Sequence, residues 1–139
     1  MADVVTSQTI VDTSGTKTVM KFTNICDGSG ETLVTKMDAS ALTFMSEDAT
    51  KTIAKIYWAI NTTNGKSGVE ISWAGSGTSS ADATIGFFSG TGFHDYNVAG
   101  NSIPNNATLT TNTSPAGDIL ISTKGFVAGD NYTIILEVR

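Results

Sequence analysis

Ile119-Leu120-Ile121-Ser122-Thr123-Lys124-Gly125-Phe126-Val127-Ala128-Gly129-Asp130-Asn131-Tyr132-Thr133-Ile134-Ile135-Leu136-Glu137-Val138-Arg139 is the stretch that decides the fold. Tyr132, Ile134, Leu136 and Val138 fall on one side of an extended backbone. Thr133, Glu137 and Arg139 fall on the other, where Ile135 interrupts the polar pattern. A two-residue alternation of this kind belongs to a strand buried on one face. Ala128 to Asn131 is turn chemistry, and Asp118 to Lys124 reads as a second strand. The pattern is strand, turn, strand, with the C-terminus expected in a sheet rather than in a trailing tail.

Working backwards, the same grammar repeats. Ser7 to Asp12 reads as a short strand, and Thr13-Ser14-Gly15-Thr16 as a turn into a stronger strand from Lys17 to Ile25. Cys26 to Gly30 is a further turn before a strand from Glu31 to Met37. Asp38 to Lys51 lacks a sustained helical period, although Ser46 is placed to cap a turn and Glu47 and Lys51 have i,i+4 spacing; it reads as a loop with one short helix. In Thr52 to Asn61, Ile56, Trp58 and Ile60 alternate with Lys55, Tyr57 and Ala59. Asn64-Gly65 then predicts a tight hairpin into a strand carrying Val69, Ile71 and Trp73. Thr84 to Phe88 is another strand, after a loop from Gly75 to Ala81. Gly90 to Pro115 reads mostly as loop, with a short strand at Thr108 to Thr111. The expectation is a single all-β domain over residues 1–139, an antiparallel β-sandwich of jelly-roll-like form with an extended N-terminal segment at residues 1–12.

Composition narrows the function. The chain has 139 residues, long enough for one self-supporting core. Eight basic residues are scattered through a chain of net charge −5, which argues against nucleic-acid binding and against docking on an anionic membrane. Cys26 is the sole cysteine, so no intrachain disulfide can form. The residues from Met1 to Val5 have neither the basic nor the apolar features of a signal peptide, and no stretch has the length and apolarity of a transmembrane segment.

The chemical motifs are thin. Gly65-Lys66-Ser67 resembles the end of a phosphate-binding loop, but Ile60 stands where the earlier glycine belongs, and a strand follows instead of a helix. His94, the sole histidine, has Asp95 beside it, and neighbours on an extended chain face opposite ways. Phe93-His94-Asp95-Tyr96 therefore reads as a loop or edge strand presenting aromatics, with Phe93, His94 and Tyr96 as candidate contact residues. Asp27-Gly28-Ser29-Gly30-Glu31 has alternating oxygen ligands but lacks the acidic set of a calcium loop. Asn61, Asn106, Asn112 and Asn131 begin glycosylation sequons, expected by chance in a chain rich in Asn and Thr. Cys26 has no basic neighbour in sequence to activate it and reads as a packed residue. Trp58 and Trp73 read as core residues on paired strands; the alternative is a sugar-stacking or subunit-contact role. No catalytic residue, cofactor or metal site is expected.

Residues 52–139 carry an ordered set of motifs. They run from Ile56-Tyr57-Trp58-Ala59-Ile60 through Val69-Glu70-Ile71-Ser72-Trp73 and Ser89-Gly90-Thr91-Gly92. Ile103-Pro104-Asn105-Asn106-Ala107, the Gly117 to Phe126 run and Tyr132 to Glu137 complete it. In these the chain resembles a family of small virion structural proteins of tailed bacteriophages, especially marine and cyanobacterial ones; Gln8 to Met37 matches more loosely. The resemblance implies a non-enzymatic particle component, made in the host cytoplasm and carried on the virion surface. The role expected is a capsid decoration (cement) protein whose partners are the major capsid protein lattice and, as a homotrimer, itself. The alternative is a carbohydrate-binding or receptor-contacting accessory protein of the neck, fibre or tail.

Overall fold

Burial alternates residue by residue from Lys17 to Asn24 and from Asn131 to Leu136, the two-residue period read from the sequence. The computed structural model describes residues 3–47, 51–74, 81–96 and 117–139. In chain order the strands are β1 (Val4–Thr13), β2 (Lys17–Ile25), β3 (Val34–Met37), β4 (Ile53–Asn61), β5 (Gly68–Ala74), β6 (Ala81–Phe88), β7 (Gly90–Asp95), β8 (Ile119–Lys124) and β9 (Asn131–Val138). Two short 3-10 turns, Ala39–Ala41 and Met45–Glu47, lie between β3 and β4. Among the described residues, no helix is long and apolar enough to cross a membrane.

The strands form two antiparallel sheets, in the orders β1-β2-β9-β4-β7 and β3-β8-β5-β6. The pairs β2 with β9, β3 with β8, β4 with β7 and β5 with β6 nest inside one another, as in one long hairpin rolled up on itself. Rolling adds the lateral pairs β4 with β9 and β5 with β8. Between the sheets lies the core: Met20 and Phe22 of β2, Ile53, Ile56 and Ile60 of β4, and Ile134, Leu136 and Val138 of β9 face Met37, Val69, Ile71, Trp73, Ile119 and Ile121. β9 sits at the centre of the five-stranded sheet, and its four inward side chains are essentially fully buried. Each such burial is worth about 1.5–3 kcal/mol, so this strand is a principal source of stability.

The connections correct the sequence reading in three places. Asn64-Gly65 does not make a hairpin: β4 belongs to the five-stranded sheet and β5 to the other, so this turn crosses between layers. Trp58 and Trp73 are accordingly not on paired strands. Alternation fixes which side of a strand is buried, but both sheets offer a buried side, so the pattern does not name the partner. The Gly125–Asp130 turn likewise carries the chain from β8 across to β9. Gly90 to Asp95, in a stretch read mostly as loop with Phe93 to Tyr96 as a loop or edge strand, is an edge strand paired with β4. Its sequence, GTGFHD, lacks apolar alternation because Gly92 stands where a large inward residue would be. A Cβ there would stand 2.3 Å from Cζ2 of the Trp58 ring, which fills the space instead. β1 runs from Val4 to Thr13, longer than expected, while β3 begins at Val34 rather than Glu31. The strand expected at 108–111 and the loop at 75–80 lie outside the described residues.

Aspartates tie the loops to this frame. Asp12 accepts the backbone N–H groups of Thr43 (2.7 Å) and Phe44 (2.9 Å) and the Thr18 hydroxyl (3.0 Å). Asp118 accepts the Ala39 N–H at 2.8 Å. Asp130 accepts Val127 N–H at 2.9 Å and both the N–H and the hydroxyl of Thr63, joining the two layer-crossing turns.

Candidate functional site

Two places concentrate unusual chemistry: the outer face of the five-stranded sheet and a polar cluster buried between the layers. On the outer face, register aligns side chains into rows across the strands. One row runs Thr91, Ala59, Thr133, Thr23, Thr6. The next runs Phe93, Tyr57, Ile135, Lys21, Gln8. Phe93 is 61% exposed and Tyr57 37%, so the aromatic end of that row is open to solvent. The following row holds Asp95, Lys55 and Glu137, where Lys55 Nζ lies 3.8 Å from Asp95 and 3.9 Å from Glu137. Glu137 is buried among Lys17, Lys55 and Arg139. Apart from Lys21 the first two rows are uncharged, and the charges of the third are compensated along one margin.

The three candidate contact residues do not share one face of the sheet. Phe93 points outward opposite Tyr57, whereas His94 lies opposite Ile56 on the other side of the strand. The His94 ring stacks at 4.2 Å on Tyr96, which is half-buried and packs against the core. Asp95 pairs with Lys55 on the outer side, so His94 and its neighbour face apart, as expected of an extended chain.

Trp73 is 2% exposed and belongs to the core. Trp58 is half-buried, with its ring 4.9 Å from Phe88 and its indole N–H donating to the Ser89 carbonyl at 3.1 Å. Gly65-Lys66-Ser67 lines an open cleft of about 180 Å³ with Val69, Phe87, Phe88 and Lys124. Its backbone is a plain turn: Ser67 N–H donates to the Asn64 carbonyl at 3.0 Å, and Lys66 N–H to the Asn64 side chain at 3.1 Å.

The buried cluster was not read from the sequence. Glu31, in the loop before β3, turns inward and places Oε2 2.5 Å from Lys36 Nζ. Its Oε1 accepts the Tyr132 hydroxyl at 2.6 Å and Asn24 Nδ2 at 3.0 Å. Asn24 Nδ2 also donates to Asp3 at 3.0 Å, while its buried Oδ1 has no hydrogen-bond partner among the described residues. Burial first, and then the Glu31 carboxylate, push the Tyr132 phenol well above its ordinary range, so it stays a donor. Lys36 reaches inward because a register shift between Thr35 and Met37 turns both Lys36 and Met37 towards the interior. A local bulge of this kind leaves no mark on hydrophobic periodicity.

Asp27 and Glu31, paired in the sequence as alternating oxygen ligands, part company. Asp27 Oδ1 accepts the N–H (2.9 Å) and hydroxyl (2.6 Å) of Ser29, and those bonds, the hydroxyl first, hold its carboxyl at about 2. Ligand atoms of Asp3, Cys26 and Asp27 gather within 4.8 Å, and Cys26 is buried. Asp3 is spent on the Asp27 N–H and on Asn24.

Compared with protein families, with curated proteins and with solved structures, the chain finds no match in any of the three.

Proposed function

We propose that this chain is a non-enzymatic structural protein of a tailed-phage virion, a capsid decoration (cement) protein that binds the assembled head shell and stabilises it. The observation that carries the reading is the outer face of the five-stranded sheet, where Phe93, Tyr57 and Ile135 stand beside a row of threonines and alanine. Short side chains lose little rotamer entropy on docking, and few charges have to be desolvated. The nested strand order supports reading the sandwich as a jelly roll, an architecture found in viral capsid and lectin domains. That support is analogy at the level of fold. The likeness of residues 52–139 to phage virion proteins points the same way.

The homotrimer belongs to the proposal, and the feature that favours self-association is β1. β1 is an edge strand whose Val4 (60%), Val5 (41%) and Ile10 (51%) are exposed. Val4–Thr13 contains none of the lysines or prolines that discourage edge pairing. Copies that meet through such an edge form an interface of backbone hydrogen bonds.

The test compares particles assembled with the wild-type chain, without it, and with a Tyr57→Ser/Phe93→Ser variant, heating each and recording DNA release. Binding that favours the assembled shell raises its resistance to heat. Wild-type particles should open at the highest temperature, and the variant should behave like the empty control while keeping its own fold. Identical release temperatures, together with glycan binding by the purified protein, would replace this reading with the carbohydrate-binding one.

A further inference from the structure

We propose that Lys36 and Asn24 form an intramolecular isopeptide bond, promoted by Glu31, that staples the two sheets together. This inference rests on the buried cluster alone and is independent of the docking role.

Glu31 gathers the amine and the amide nitrogen at its two oxygens. The nucleophile Lys36 Nζ is 2.5 Å from one oxygen of Glu31, and the leaving nitrogen, Asn24 Nδ2, is 3.0 Å from the other. One carboxylate therefore touches both the amine that must lose protons and the amide nitrogen that must gain one, the arrangement of a single acid-base shuttle. Tyr132 donates to Glu31 at 2.6 Å and holds it in place. Asn24 is 1% exposed and the lysine and glutamate 7% each, so the amide carbon lies where water does not compete with the amine. Fixing both groups in the fold makes the encounter intramolecular, which is a large part of the barrier to amide exchange. Among the described residues, Asn24 Oδ1 has no hydrogen-bond partner.

The step balances without any co-reactant. Glu31 takes a proton from the Lys36 ammonium, and the freed lone pair bonds to Asn24 Cγ. Glu31 passes that proton to Nδ2, the Cγ–Nδ2 bond breaks, and ammonia departs. The surplus proton on the new amide nitrogen leaves through Glu31 to the ammonia. An ammonium side chain and a primary amide thus become a secondary amide and a free ammonium ion, with Glu31 returned as a carboxylate. Because Asn24 lies in β2 and Lys36 in β3, the product joins the five-stranded sheet to the four-stranded one.

Mass spectrometry of the purified full-length protein tests this directly. Trypsin cleaves after Lys21, Lys36 and Lys51, so an unreacted chain yields separate peptides 22–36 and 37–51. A reacted Lys36 resists cleavage, and the expected product is one peptide, 22–51, lighter than its sequence mass by one ammonia. Lys36→Arg, which keeps a cation beside Glu31, should restore cleavage and full mass. Glu31→Gln should do the same in protein that retains its β-sheet circular dichroism. Should Glu31→Gln fail to fold, wild type against Lys36→Arg decides the matter. Folded wild-type protein that yields mainly peptide 22–36 at full mass, or at the mass of simple Asn24 deamidation, overturns the proposal.

Discussion

Tyr132 Oη donates a 2.6 Å hydrogen bond to Glu31 Oε1 across 101 residues of chain, and both side chains are buried. The bond links the central strand of one sheet to the loop that delivers β3 to the other. Its acceptor also holds Lys36 and Asn24, so the phenol is one of three donors that order the buried Glu31 carboxylate.

Tyr132→Phe should therefore destabilise the fold well beyond the loss of one oxygen. Hydrogen bonds to charged groups contribute about 1.5–3 kcal/mol, and the remaining acceptor stays buried. Urea denaturation should show a lower midpoint at unchanged slope. An unchanged midpoint would mean that Glu31 is satisfied without the phenol.

Gly92→Ala tests the β4–β7 contact. The added methyl would clash with the Trp58 ring, and overpacking of this kind costs about 1–3 kcal/mol. Trp58 should be displaced from Phe88 and Ser89, shifting tryptophan emission to the red. A variant with native emission and native melting temperature would contradict the close approach.

Removal of residues 132–139 takes away Tyr132, Ile134, Leu136 and Val138 together, each essentially fully buried. At about 1.5–3 kcal/mol apiece, the loss rivals the whole stability of a typical domain, about 5–15 kcal/mol. Expression should give insoluble or unfolded protein. Soluble truncated protein with a native melt would refute the central place of β9.

Acid should loosen the aspartate ties. For Asp12, burial pushes the carboxyl up, but the N–H groups of Phe44 and Thr43 and the hydroxyls outweigh it, leaving it below the ordinary 3.8. The Val127 N–H is the largest influence on Asp130 and, with the N–H and hydroxyl of Thr63, holds its carboxyl low against the opposing effect of burial. Groups depressed in the folded state contribute stability in full above their unfolded value and lose it as pH falls through the folded value. Asp118 runs oppositely: burial raises it, so its cost to the fold appears as pH rises above 3.8. With the depressed groups in the majority, the melting temperature should hold down to about pH 5 and fall below about pH 4. Asp130→Asn should flatten that fall; an equally steep fall in the variant would remove Asp130 from the account.

The candidate sites were legible to different degrees. Phe93 could be read as an aromatic on a loop or edge strand and Tyr57 as a residue on the side of its strand opposite Ile56 and Trp58, yet nothing local showed that β7 lies beside β4 and brings them together. The Lys36, Glu31 and Asn24 cluster was invisible. Lysine, glutamate and asparagine in a polar stretch read as solvent-facing, and a bulge at Lys36 is needed to turn that side chain inward.

By itself the sequence determined the class of fold and most strand faces, because alternation of apolar and polar residues is a local consequence of a pleated backbone with one buried side. It also determined that β9 is core, since Tyr132, Ile134, Leu136 and Val138 admit no other burial pattern. Which strands pair was decided only by the tertiary structure. Both layers bury an apolar side, so Asn64-Gly65 and Gly125–Asp130 serve equally as hairpin turns or as crossings between sheets. The choice is made by contacts far apart in sequence, such as Glu137 against both Val19 and Lys55, or Asp130 against Thr63. Energies of that kind depend on the whole packed assembly, and no short window of the chain contains them.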